Sequence, residues 1–393
     1  MIVDLPSTTT IAVSKKLVRL RQDVGAMALS RVLTLVVVVD EKHAEEAIEV
    51  ANDASHQHPC RIIAVVTGNR RGVSRLDAQI RVGGDAGASE VVVLRLYGPL
   101  TAHGRSVVIP LLLPDSPVVA WWPHDAPRNG SEDPIGAMAQ RRITDAAHSK
   151  SPRAEMKQRA RTYAPGDSDL AWTRVTLWRG LLAAALDQPP YEPVVSATVT
   201  GASDSPSADL LAAWLANGLR CPVARTRSRA GSGVVSVRLE RRSGNIDLVR
   251  PEGDSATLIQ PGQPDRTIAL PHRSDAECLA DELRRLDPDE VYAEVMTKGM
   301  RLLGGGKGKT ASEAVADGEA PSPAEARRTA ARIKRAARAQ SRSSMVEAAP
   351  EPPATSDRAT VKEAAARKLA DARGQSGPDS VDETGNAATE PGS

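Results

Sequence analysis

The sequence predicts an α/β protein, mixed α+β in detail, with two domains and a disordered tail. Three observations predict it. Helical and strand-like periodicities alternate over 1–148, and four short strand-like runs joined by turn residues crowd the region after about 230. All five Trp, four Tyr, seven His and three Cys fall at or before Tyr292, so the chain beyond has almost nothing with which to build a core.

The N-terminal domain, 1–148, reads as a mixed sheet with helices. Val13, Leu17, Leu20 and Val24 recur at helical spacing. "RVLTLVVVVD" is then a buried strand, and Asp40 can cap a helix running to about Ser55. "RIIAVV", "AQIRV", "EVVVLRL" and "PVVAWW" read as further strands, with a helix expected over 101–113 and another in "PIGAMAQRRITDAA". The stretch 149–171 is polar and broken by Pro and Gly, so it reads as a linker.

The C-terminal domain, 172–303, reads as antiparallel-rich α+β. It opens with a helix carrying Trp178, Leu181, Leu182, Ala185 and Leu186 on one face. A strand at 194–200 leads into a helix bearing Trp214, and "VVSVRLE", "NIDLVR", "ATLIQ" and "RTIAL" form a meander. Two helices finish the domain. Ser274 and Glu277 box the first, which presents Leu279, Leu283 and Leu286. Asp287 and Pro288 are placed to start the second. From 304 to 393, only Val315, Ile333, Val346, Val361, Leu369 and Val381 supply branched aliphatic bulk, so the tail reads as disordered.

Composition narrows the function. Lys plus Arg is 51 against 49 Asp plus Glu, which gives no global field to gather nucleic acid or membrane. No apolar run is long enough to span a bilayer, and the start carries no secretory signal. Three scattered cysteines point to a reduced, cytoplasmic protein. "LLGGGKGKTASEAV" (302–315) has the residues of a phosphate loop. Leu303 stands where its first glycine belongs, however, and the loop follows a helix, so it reads as a linker. The glycine-rich 82–90 lacks dinucleotide spacing and reads as a turn, and no GxSxG or HExxH motif occurs. His43, His56, His58 and Cys60 are ligand types without a familiar metal spacing, so neither metal nor cofactor is expected.

Four features remain as candidates. Neighbouring strand residues face opposite ways, so Trp121 and Trp122 cannot share one core. Either a helix covers the second ring, or it anchors a docking surface with Arg141 and Arg142 as its polar rim. Ser203, Ser205 and Ser207 stand at a helix start, where they either cap it or bind an anion. Cys60, Cys221 and Cys278 are buried inert thiols or, with Arg61 and Arg220 as sequence neighbours, a redox sensor. The basic run within 327–342 is a solvated arm or a nucleic-acid contact without stacking aromatics. The corresponding alternatives are a sugar-phosphate-binding or hydrolytic enzyme using 200–211, and a nucleic-acid-associated protein using the tail.

One resemblance covers most of the chain. "RVLTLVVVVD", "HPCRIIAVVTG", "GGDAGASEVVVLRLYGPL", "LLLPDSPVVAWWP", "QRRITDA", "DSPSADLLAAWL" and "RRLDPDEVYAEVM" occur in that order. Together they closely resemble the actinobacterial OpcA family of glucose-6-phosphate dehydrogenase assembly proteins, over about 1–302. The resemblance implies a non-catalytic partner that binds glucose-6-phosphate dehydrogenase. Such a partner promotes its active oligomer or activates it allosterically, feeding the oxidative pentose phosphate pathway and NADPH supply. It carries over no catalytic or ligand residue.

Overall fold

In a computed structural model, residues 1–23, 32–82, 90–229, 231–250 and 253–304 are described. Residues 83–89 of the glycine-rich turn, and the tail from 305 with its basic segment 327–342, lie outside them.

The first sheet is built from β1 (Ile2–Leu5), β2 (Leu33–Asp40), β3 (Cys60–Thr67), β4 (Arg75–Arg81), β5 (Glu90–Tyr97), β6 (Val118–Trp122), β7 (Arg141–Thr144) and β8 (Asp167–Asp169). Their order across the sheet is β1-β4-β5-β3-β2-β6-β7-β8. The run β5-β3-β2-β6-β7-β8 is parallel throughout, and β4 and β1 extend it antiparallel. Taken in chain order, the parallel strands read third-second-first-fourth-fifth-sixth. That is the doubly wound order of dinucleotide-binding sheets, whose direction of travel reverses between its first and fourth strands, here β2 and β6.

Both faces of this sheet are covered, so its central strands are apolar without alternation. Helix α1 (Thr10–Asp23) lays Val13, Leu17 and Leu20 on one face, joined by Val107, Val108 and Leu111. Helix α2 (Ala44–Ser55) buries Ala47, Ile48 and Ala51 on the other. The helix expected over 101–113 is broken into turns around α3 (Gly104–Val108): His103 leaves the helical region before it, and Pro110 has no amide to continue it afterwards.

Two expectations fail between 134 and 171. "QRRITDA" is not helical: it supplies β7, whose four residues are all buried, and a strand covered on both faces shows no period-two signal. The expected linker holds α4 (Pro152–Thr162) and the edge strand β8. Helix α4 buries only Met156 and Arg159, so its apolar stripe is faint. Strand β8 reads Asp-Ser-Asp and is fixed by hydrogen bonds in place of apolar bulk: Asp169 accepts from Thr144 Oγ1 at 2.6 Å and from the Ala171 amide at 2.9 Å.

After α5 (Leu170–Thr173) and α6 (Thr176–Leu186) comes the second sheet: β9 (Ser196–Ala202), β10 (Val223–Ser228), β11 (Val234–Glu240), β12 (Ile246–Val249), β13 (Ser255–Ile259) and β14 (Arg266–Ala269). Its order is β10-β9-β11-β12-β13-β14; only β9 and β10 are parallel, and β11 to β14 form the expected meander. Helix α7 (Pro206–Leu219) between β9 and β10 is buried on nearly every side, as its all-round apolar sequence requires. Ser205 caps it, accepting from the Ala208 amide at 3.2 Å. Trp172, Trp178, Trp214 and Tyr292 fill the core beneath this sheet.

The C-terminal helices knit the two sheets together. Helix α8 (Asp275–Arg284) follows the second sheet in sequence, yet Cys278, Leu279 and Leu283 pack with α2 in the core of the first. Helix α9 (Glu290–Glu294) is capped by Asp289, not by Asp287, because Trp172 Nε1 fixes the Asp289 carboxylate at 2.9 Å. A wide turn over Val295–Gly299 then leads to α10 (Met300–Gly304). A Cβ on Gly299 would meet the Ala213 carbonyl oxygen at 2.6 Å, so only glycine permits this helix to lie against α7. Among the described residues, no helix is long and apolar enough to cross a membrane.

Leu279→Ala should therefore cost about 2–5 kcal/mol, and calorimetry should show both sheets still melting in one transition at a lower temperature. Two separated transitions would show that α8 does not bind them into one cooperative unit.

Candidate functional site

In a sheet of this order the crevice outside the carboxyl ends of the strands, at the reversal, is where ligands usually sit. Here the ends of β2, β6 and β7 bring three histidines together. Asp40 closes β2 and caps the following turn, accepting from the His43 amide at 3.0 Å and holding His43 Nδ1 at 2.7 Å. His124 follows β6, and His148 ends the short turn after β7. The rings stack in a column, His43 on His124 at 4.1 Å and 21°, and His124 on His148 at 5.1 Å and 26°.

Beyond His148 lies a charge network. His148 Nδ1 is 3.2 Å from Asp145 and 3.6 Å from Asp275. Arg174 donates to both oxygens of Asp145, at 2.8 and 2.5 Å, and to Asp275 at 2.6 Å. Burial works to raise the pKa of Asp145, but the hydrogen bonds and charges of Arg174 and His148 overcome it and hold the carboxyl far below its usual range. Asp169, fully buried nearby, pairs with no cation among the described residues. Burial and the Asp145 charge push it up to about 7. The hydrogen bond to Asp145 raises His148 above 6.5 against some burial, whereas burial first, then the charges of His43 and His148, lower His124 below it.

A dinucleotide does not fit this crevice. Its pyrophosphate needs a glycine-rich first turn with free amides at a helix start. The turn after β2 is instead Asp40-Glu41-Lys42-His43, with an amide taken by Asp40 and with Glu41, Glu45 and Glu46 at the start of the helix. Anionic phosphates would meet carboxylates. Asp145, His148 and Asp275 do offer donor atoms within 4.8 Å of one another, as a cation site would. Arg174 already pairs with both of those carboxylates.

The residues singled out from sequence are placed elsewhere. Trp121 and Trp122 do alternate across β6, but each enters a core: Trp121, 1% exposed, packs with α2 and α8, and Trp122, 3% exposed, lies on the opposite face. Neither ring is exposed at the surface. Arg141 and Arg142 are no rim either, being 3% and 8% exposed. Arg141 pairs with Glu282 on α8 and donates to the Asp287 carbonyl at 2.9 Å. Arg142 pairs with Asp167 at 2.5 Å and donates to the Ala139 carbonyl at 3.0 Å. Both are internal ties.

The serine loop is likewise closed. Ser203 is exposed, Ser205 caps α7, and Ser207 Oγ donates to the Ala171 carbonyl at 2.8 Å. Asp209, paired with Arg153 at 3.2 Å and Arg225 at 3.0 Å, puts a carboxylate where an anion would bind. Cys60 and Cys278 are fully buried, and burial pushes the thiols of Cys221 and Cys278 up to about 12, the reverse of what a redox sensor needs. His56 is exposed, with Nδ1 beside the Asp53 carbonyl at 3.2 Å, and Cys60 points into the core of the first sheet, so these two do not assemble a metal site with His43. Sequence reasoning missed the histidine column because its members stand 81 and 24 residues apart. The available signal was that each follows a strand of the parallel set.

Residues 165–296 match the family described as the C-terminal domain of the glucose-6-phosphate dehydrogenase subunit, and residues 51–161 match the family described as its N-terminal domain. No curated protein matches the chain in sequence. Among solved structures, the chain is similar to a levoglucosan dehydrogenase in complex with NADH and L-sorbose, at 12% identity and a TM-score of 0.34, over 79% of this chain and 98% of that one. It is similar to an oxidoreductase from Sinorhizobium meliloti at 9% identity and a TM-score of 0.34, over 79% and 98% of the two chains. An inositol dehydrogenase homolog from Azotobacter vinelandii, complexed with NADH and myo-inositol, stands at 8% identity and a TM-score of 0.33, over 80% and 96%. At these scores the likenesses carry no argument about activity.

The buried pair and the histidine column can each be tested. Arg141→Ala strands Glu282 in the interior and should cost about 3–5 kcal/mol in chemical denaturation; a loss below about 1 kcal/mol would show the pair to be dispensable. The histidines should give opposite pH signatures about 6.5, their unfolded value. His124, lowered on folding, resists the proton that the unfolded chain accepts, so wild type should lose stability relative to His124→Asn as pH falls below 6.5. His148, raised on folding, stabilises while protonated, so the advantage of wild type over His148→Asn should fade as pH rises above 6.5. Melting temperatures from pH 5 to 8 decide both, and parallel curves for wild type and variants would refute them.

Proposed function

The chain belongs to the OpcA family, whose members are described as a glucose-6-phosphate dehydrogenase subunit, and on that premise we propose that it is a non-catalytic partner of glucose-6-phosphate dehydrogenase. It binds the enzyme and promotes its assembly or allosteric activation, and so supports the oxidative pentose phosphate pathway and NADPH supply. The observation that carries this reading is that both the N-terminal and the C-terminal domains of that family match, one after the other, between residues 51 and 296.

The site chemistry supports a partner role. The crevice that would receive a nicotinamide dinucleotide is acidic, and the serine loop that would receive a sugar phosphate is taken up by Asp209 and its arginines. Glucose 6-phosphate and NADP then belong to the dehydrogenase, and this chain contributes shape. A partner shifts an enzyme toward its active state only by preferring that state. A tenfold preference corresponds to about 1.4 kcal/mol, within reach of a modest interface.

Mixing the purified chain with the dehydrogenase of the same organism should yield a co-eluting complex of higher mass and raise NADP reduction at fixed enzyme concentration. The chain alone should turn over no glucose 6-phosphate. An unchanged rate with no complex, or turnover by the chain by itself, would end this reading.

A further inference from the structure

The loop between β3 and β4, residues 68–74, stands at the same edge of the sheet as the histidine column, one strand over from β2. It reads Gly-Asn-Arg-Arg-Gly-Val-Ser, and it carries the most exposed aliphatic side chain among the large hydrophobics of the described residues. Val73 is 88% exposed, against 66% for Ile11, the next. Arg70 and Arg71 beside it are exposed and make no ion pair among the described residues.

The base of the loop is built to hold that tip still. Asn69 Oδ1 accepts from the Arg71 amide at 2.9 Å, and the Asn69 carbonyl accepts from the Gly98 amide at 2.8 Å. The Gly68 amide donates to the Leu96 carbonyl at 2.9 Å. Gly98 has a φ of +61°, and a Cβ there would lie 2.4 Å from the Gly72 carbonyl oxygen, so the strand end after β5 and the loop touch backbone to backbone. Arg75, at the exit, lies over the Tyr97 ring at 4.4 Å and pairs with Asp77 at 3.0 Å. Arg75 is thus neutralised and tied down, while Arg70 and Arg71 are left uncompensated around an aliphatic tip.

A projection braced by hydrogen bonds at its base, which keeps an apolar tip in water flanked by two exposed guanidinium groups, is organised for contact before any partner arrives, which cuts the ordering cost of binding. Its complement is a protein surface with a shallow apolar depression rimmed by carboxylates. Nucleic acid fits less well, because two cations give few phosphate contacts and the ring at the base, Tyr97, is covered by Arg75.

We propose that the 69–73 loop is the finger by which this chain docks on an acidic, apolar-centred patch of the dehydrogenase. The proposal rests on the partner role argued above and names the surface that serves it. Three full-length variants test it by titration calorimetry against the dehydrogenase at low and high salt, with melting temperatures as the check on folding. Arg70→Glu/Arg71→Glu should bind at least about tenfold more weakly and with a flatter salt dependence, since it removes the charge that steers encounter. Val73→Ser should weaken binding several-fold and leave the salt dependence as in wild type. Lys15→Glu/Arg19→Glu on the exposed side of α1 makes the same change in net charge and should bind as wild type. Wild-type affinity in both loop variants, or an equal loss in the α1 control, would overturn the finger while leaving the partner role standing. Absence of any wild-type complex would remove both.

Discussion

A buried guanidinium–carboxylate pair holds this molecule together. Arg141 on β7 meets Glu282 on α8, and Glu282 also accepts from Thr173 on α5. Both charges are almost wholly removed from water, 3% and 6% exposed, so each is tolerable only because the other is there. The pair lies between elements separated by the whole second sheet in sequence. It therefore fixes where the chain must return, and the leucines of α8 complete the first sheet's core at that place. The interlock follows from charge compensation and apolar burial acting at one spot.

The same strand edge that a doubly wound sheet offers to a cofactor is used differently here. The topology supplies a crevice at the carboxyl ends of β2 and β6, and the local sequence decides what the crevice can hold. Asp40 and the glutamates after it make the helix start acidic, and the histidine column closes on Asp40 at one end and on the Asp145–Arg174 network at the other. The result is a packed, titratable surface at a place where related topologies keep an open, amide-lined pocket.

Much of the architecture was legible because periodicity reports local burial. The runs at 33–40, 60–67 and 90–97 announce strands by uninterrupted branched aliphatics, and Ser274 and Glu277 form their box without reference to anything distant. Strands β7 and β8 were illegible for the complementary reason. They are short, they carry Arg and Asp, and they stay in the sheet through partners brought from other elements. The candidate site followed the same rule. Trp121 and Trp122 signalled an alternation that the strand obeys, but the helices covering each face lie at 44–55 and 275–284 on one side and near 10–23 on the other, beyond any local reading.

By itself the sequence determined the fold class, the strand and helix runs of strong period, the absence of a phosphate-loop spacing and the likeness to a family of dehydrogenase partners. These depend on neighbours along the chain or on long ordered segments. Only the tertiary structure decided that two adjacent arginines are internal ties, that two tryptophans lie in separate cores, that three distant histidines stack, and that one valine with two arginines stands clear of the surface. Burial and pairing are properties of space, set by which elements the topology brings together, and a side chain's charge or bulk acquires its role only when its partner arrives.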